Sequence, residues 1–134
     1  MMRTSFIALL VLVLCSSFSF HTSIDPDCLA SIRVGKFKTI PHQGREILCE
    51  VKRTKNKQIE SYNFGKSKII SRIEWISPTR YTLTTLKHIN IQPGCDKIGA
   101  VATVDIIACD GNSFTYRWTQ EGCGTGEGRF KKLE

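Results

Sequence analysis

The stretch Ile69–Ile89, IISRIEWISPTRYTLTTLKHI, decides the fold. Ile69, Ser71, Ile73 and Trp75 alternate with Ile70, Arg72, Glu74 and Ile76, and Ser77-Pro78 interrupts the run. Alternation then resumes, with Tyr81, Leu83 and Thr85 set against Thr82, Thr84 and Leu86. A side-chain period of two, β-branched and aromatic residues and a proline at the break describe two strands folded back on each other.

Similar runs flank this pair. Gly35–Ile40 reads as a first strand, Ile47–Thr54 as a second with Ile47, Cys49 and Val51 on one face, and Gln58–Tyr62 as a third. After a longer loop, Asn90–Gly99, come the apolar run Val101–Cys109 and the alternating Phe114, Tyr116 and Trp118. The Gly-rich segment Gly122–Gly128 then leads into a final strand, Arg129–Leu133. Asp110-Gly111-Asn112 is a tight-turn signal, because Gly and Asn tolerate the positive φ of hairpin turns. Nowhere do apolar residues recur at helical spacing, so no helix is expected, and Ile24–Cys28 reads as a loose acidic lead-in. About eight strands with mostly short connections form an antiparallel meander, which gains by curling shut and removing its edges. The expected fold is an all-β up-and-down barrel, closed or partly open, with a two-sheet sandwich as the alternative.

The chain of 134 residues is of single-domain size. Met1–Ser5 is a short positive region and Phe6–Leu14 an unbroken apolar run, shorter than the roughly 20 residues of a membrane span. Residues 1–19 are therefore read as a signal peptide cut after Ser17-Phe18-Ser19, 20–33 as the lead-in and 34–134 as one barrel-like domain. The alternative is a lipidated Cys15, although Leu14 stands where a lipobox wants a small residue. The expected location is secreted, periplasmic or cell envelope. Without the leader, 18 basic residues face 12 acidic ones, scattered as on a solvated outer face rather than gathered into a patch.

Five cysteines remain, with neither a C-x-x-C pair nor a histidine at metal spacing, so neither a metal nor a cofactor is expected. Turns of a meander alternate between its two ends. The Asn90–Gly99 loop and the Gly122–Gly128 segment then share an end, which brings Cys95 to Cys123. Cys28 and Cys109 share the other, so these two pairs are the choice among the 15 ways to draw two bridges from five cysteines, with Cys49 buried and free.

Gly35-Lys36-Phe37-Lys38, Arg53-Thr54 with Gln58-Ile59-Glu60, Ile73–Ile76 and Tyr81–Thr84 resemble small exported bacterial lipoprotein-like proteins of uncharacterised function. The likeness covers the middle half of the chain and rests on strand patterns. That family commonly has a Cys in the turn before the Tyr, where this chain has Pro78-Thr79-Arg80, which removes the partner the family would give Cys28. A Gly-x-aromatic opening strand followed by a meander is more loosely similar to lipocalin-like barrels.

Three classes of function compete. His88, Asp105, Glu74 and Arg72 are the best available acid–base set, but no nucleophile–base motif joins them, so no enzyme is expected. Phe114, Tyr116 and Trp118 beside Arg117 could stack bases, yet alternation puts the rings on the apolar face, and no nucleic-acid partner is expected. A nucleic-acid-acting or hydrolytic role stands only as the third alternative. The leading reading is a non-enzymatic, monomeric barrel holding a small apolar ligand near Phe37, Trp75, Tyr81, Phe114, Tyr116 and Trp118. The runner-up is a structural or protein-interaction protein of the envelope. The inward set is taken as Phe37, Ile59, Trp75, Leu83, Val104, Ile106, Tyr116, Trp118 and Phe130. Any pocket is expected to open at one end, edged by Tyr81 and Tyr116.

Overall fold

The computed structural model describes residues 24–44, 47–92 and 94–133; the expected leader and Cys15 lie outside them. One helix, α1 (Pro26–Ser31), precedes eight strands: β1 (Gly35–Ile40), β2 (Glu50–Arg53), β3 (Lys57–Tyr62), β4 (Ser67–Ser77), β5 (Arg80–Ile89), β6 (Val101–Asp110), β7 (Ser113–Gln120) and β8 (Gly124–Lys132). Each strand pairs antiparallel with its chain neighbours, and β8 pairs back onto β1, with Phe37 opposite Lys132 and Thr39 opposite Phe130. The meander thus closes into an up-and-down barrel without a free edge, and the sandwich alternative is set aside. Among the described residues, no helix is long and apolar enough to cross a membrane.

The expected faces hold along the central hairpin. Ile69, Ser71, Ile73, Tyr81 and Thr85 are buried, whereas Arg72, Glu74 and Ile76 are exposed. Tyr81 lies opposite Trp75, and Leu83 opposite Ile73. Bulges explain departures from strict alternation. Ile107 is the extra residue between the pairs Ile106–Tyr116 and Ala108–Thr115. That insertion reverses the parity of β6, so that Cys109 points inward like Ile106 although the two are three positions apart.

The lead-in is not loose. Asp25 caps α1, its side chain accepting from the Asp27 N–H, and Pro26 occupies the first turn. Six residues are too few to show a helical period in sequence, which is why no helix was expected. Leu29 and the following Ile32 are buried against the barrel, and a Cys28–Cys109 disulfide fastens the helix to β6. Lys132 Nζ donates to the Ser31 carbonyl at 2.6 Å, placing a cation at the helix C-terminus. The lead-in is thus a plug for the barrel's closed end, where the turns after β2, β4 and β6 also lie. The other end carries the 41–49 and 90–100 loops and the turns after β3 and β7.

Three further expectations are corrected. β2 starts at Glu50, leaving Ile47 and Leu48 exposed beyond it. On β3 the buried Gln58 and the lumen-lining Glu60 face inward and Ile59 outward, because Glu60 pairs with the buried Val51. β8 begins inside the Gly-rich segment, since Gly126 and Gly128 pair with Trp118 and Tyr116 and leave room for their rings. A Cβ on Gly126 would lie 2.6 Å from Trp118 Nε1, and one on Gly128 would overlap the Tyr116 hydroxyl. Aromatic cover of this kind offsets what glycine costs a strand.

Gly128→Ala is therefore expected to destabilise the barrel by roughly 1–3 kcal/mol, since Tyr116 is stacked on Phe130 and has little freedom to yield. Denaturant melting against the parent chain measures it, and an unchanged midpoint would contradict this packing.

Candidate functional site

The barrel interior divides into a solid half and a hollow half. At the closed end Phe37, Phe114 and Ile32 are fully enclosed around Arg53, which is 1% exposed. The Arg53 guanidinium lies 4.8 Å from the Tyr81 ring centroid and 5.2 Å from that of Phe37, with Phe114 and Trp75 slightly farther. Ring faces are electron-rich and hold a desolvated cation. The guanidinium also donates to the Ile32 carbonyl at 2.8 Å, to Gln58 Oε1 at 2.7 Å and to the Tyr81 hydroxyl at 3.0 Å.

Arginine is only a donor, so it fixes the Gln58 amide with its oxygen toward Arg53. Gln58 Nε2 then faces the lumen and donates to Glu60 Oε1 at 3.1 Å. Tyr62 donates its hydroxyl to Glu60 Oε2 at 2.9 Å. Arg53, Gln58, Glu60 and Tyr62 form one chain from the core into the lumen.

Above this chain lies a cavity of about 520 Å³, within the usual size of small-molecule pockets. Small inward residues on facing strands make the room, namely Thr39, Ser71, Thr85, Ala102 and Gly126. Leu83, Ile69, Val104 and Phe130 supply apolar wall. Asp96 reaches the lumen from the 90–100 loop, which the Cys95–Cys123 disulfide ties to the end of β7. Gln120 Nε2 adds a 2.7 Å bond to the Cys95 carbonyl.

Of the six expected ligand-site residues, Tyr81, Tyr116 and Trp118 line the cavity. Phe37 and Phe114 belong to the solid core beneath it, packed edge to face. Trp75 sits half-buried at the closed end under the Arg33 guanidinium, 4.6 Å away. Tyr81 is not at the mouth: it is 1% exposed, with its hydroxyl bound by Arg53. Sequence reasoning missed Glu60, Gln58, Tyr62 and Asp96, the polar half of the site. The signal for the first two was the parity of β3 relative to Val51.

Electrostatically, burial pushes the Glu60 carboxyl above the ordinary carboxylate range. The Asp96 charge adds to this, while bonds from Tyr62 and Gln58 and the Arg53 charge pull it back in part. Tyr62 is pushed well up by burial and by Glu60. Cys49, free and half-buried in the cavity wall beside Thr39 Oγ1 at 3.4 Å, is raised to about 11, mainly by burial.

The residues expected for acid–base chemistry do not converge. Arg72 pairs with Glu74, and Arg80 with Asp105 at 2.7 Å, both on the outer surface. His88, on β5 toward the open end, does not line the cavity, and its Nε2 is buried with no hydrogen-bond partner among the described residues. The chain matches no known family model, no curated protein and no solved structure.

Two measurements follow. A thiol at about 11 is roughly a thousandth thiolate at pH 8, so Cys49 should alkylate slowly in the native protein and rapidly once denatured. Equal rates would contradict the enclosed wall. A carboxyl raised on folding adds stability below its unfolded value and loses it as pH rises through the folded value. The parent should therefore lose stability relative to Glu60→Gln as pH climbs from the ordinary glutamate range toward neutrality. Parallel melting curves for the two chains across that range would contradict the buried carboxyl.

Proposed function

We propose that the protein is an exported, non-enzymatic barrel that holds a small amphipathic ligand in the hollow half of its lumen. The observation that carries this reading is the cavity itself. An eight-stranded barrel is only just wide enough for its own side chains to fill. Here bulky residues gather at one end and small ones at the other, so the emptiness is built from sequence. Apolar walls beside a few oriented polar groups are the usual make-up of a ligand site.

Export is supported by the two disulfides, which form and persist in oxidising compartments, together with the leader-like first 19 residues. A second reading, an envelope interaction protein with or without a lipidated Cys15, draws on a different observation. The open-end loops and turns expose Phe64, Ile47, Leu48 and Ile98. Exposed apolar residues gathered at one end suit a docking surface.

The test is tryptophan emission during titration with neutral, anionic and cationic amphiphiles. Trp118 lines the cavity and Trp75 lies below it, so Trp75→Phe should keep the ligand-dependent change and Trp118→Phe should lose most of it. No response of the Trp75→Phe chain to any class would overturn the ligand-binding reading and leave the envelope-interaction one.

A further inference from the structure

Although the whole chain carries a formal charge of +7, the described residues lining the cavity include no lysine, arginine or histidine. The charged residues there are Glu60, Asp96 and Glu127. Glu127 is already matched, by Arg117 at 2.6 Å and His42 at 3.5 Å. Glu60 and Asp96 are left, and both line the same cavity. Arg53, enclosed beneath them, supplies one positive charge against these two carboxyl groups. With both ionised, the described residues of the lumen are one positive charge short.

Glu60 also retains bonding capacity. Its two oxygens each accept one protein donor, from Gln58 and from Tyr62, whereas a carboxylate offers about four acceptor sites. The disulfide-tied loop brings Asp96 to the same lumen. Aromatic rings of Tyr116 and Trp118 share the wall, and ring faces favour cations.

We propose that the ligand is an amphipathic cation, an amine whose charged head is held by Glu60 and Asp96 while its apolar body lies along Leu83 and Trp118. This rests on the ligand-binding reading and narrows it: the lumen is built against fatty carboxylates. Binding is coupled to a proton. In the empty barrel burial favours the protonated Glu60, and an arriving cation favours the carboxylate. The cation therefore takes the place of the proton, which leaves to solvent, and affinity rises as pH rises. The titratable and charged groups facing Glu60 are Arg53 from β2, Cys49 just before that strand, Tyr62 on its own strand, Tyr81 from β5 and Asp96 from the loop. Cys49 at about 11 and the two tyrosines, both pushed up, keep their protons near neutrality.

Three molecules of matched shape test this: phenylbutylamine, phenylbutanol and phenylbutyrate, titrated into the full mature chain while Trp118 emission is followed. The amine should bind about tenfold tighter than the alcohol, with the carboxylate weakest. Its affinity should grow between about pH 5 and 8 while that of the alcohol stays level. Glu60→Gln should abolish the advantage of the amine and keep alcohol binding. Asp96→Asn, on a loop outside the barrel wall, should shrink that advantage and serves if the Glu60 variant fails to fold. A carboxylate that binds tightest, or an amine preference that survives both substitutions, overturns the cation inference and leaves a neutral-ligand barrel standing. Failure of all three molecules to bind overturns the ligand-binding reading as well.

Discussion

A guanidinium held in the core with no ion-pair partner among the described residues is the constraint around which this barrel is arranged. Desolvating a cation costs several kcal/mol unless other groups replace its water. Around Arg53 the replacements are ring faces from Phe37, Tyr81 and Phe114, one carbonyl at the end of α1, and the Gln58 oxygen. Each claims a position. The rings must crowd the closed end, which makes that half solid. The carbonyl belongs to Ile32, so the helical plug must dock for Arg53 to be satisfied. Gln58 must face inward, and the pleat then carries Glu60 inward two residues later.

That chain of consequence also explains what was legible beforehand. Long amphipathic alternation on β4, β5 and β7 is read directly, because a buried face leaves a period of two in the sequence. The topology followed from short connections, and both cross-links followed from which turns share an end. Ile59 misled for a physical reason. On a strand with one apolar residue, hydrophobicity assigns the inner face only if the interior is apolar, and here it is polar at that point. Ile76 and Leu86 are the extra residues at the two irregularities of the β4–β5 pairing, and both are exposed, on the outer face that alternation gives them. The cavity was invisible because it depends on which large and small residues share a level of the barrel, a property of register rather than of order. Half of the expected ligand set accordingly proved to be floor.

The hollow half forgoes packing, since its lining side chains face a cavity rather than one another. A barrel offsets some of this through its hydrogen-bond ladder, which is independent of what fills the lumen. Bulk is concentrated where the plug needs it, and the wall opposite is thinned at Gly126 and Ala102. A hollow lumen with a buried carboxyl is also a place where stability and binding draw on the same free energy: the unbound barrel carries the cost of desolvating Glu60, and a partner able to satisfy that group recovers it.

The disulfides mark the two ends because the wall does not need them. Strands are joined to neighbours on both sides by backbone bonds, whereas α1 and the 90–100 loop lie outside the barrel ladder apart from a few contacts. Cys28–Cys109 spans 81 residues and Cys95–Cys123 spans 28. In the chain-entropy view, constraints of those lengths contribute roughly 3 to 5 kcal/mol each. Their local effects differ. The first holds the plug against the enclosed cation, so it secures the solid half. The second holds Asp96 over the lumen, so it shapes the charge of the hollow half. One cross-link serves the core and the other serves the site, with Arg53, Gln58 and Glu60 as the polar thread running between them.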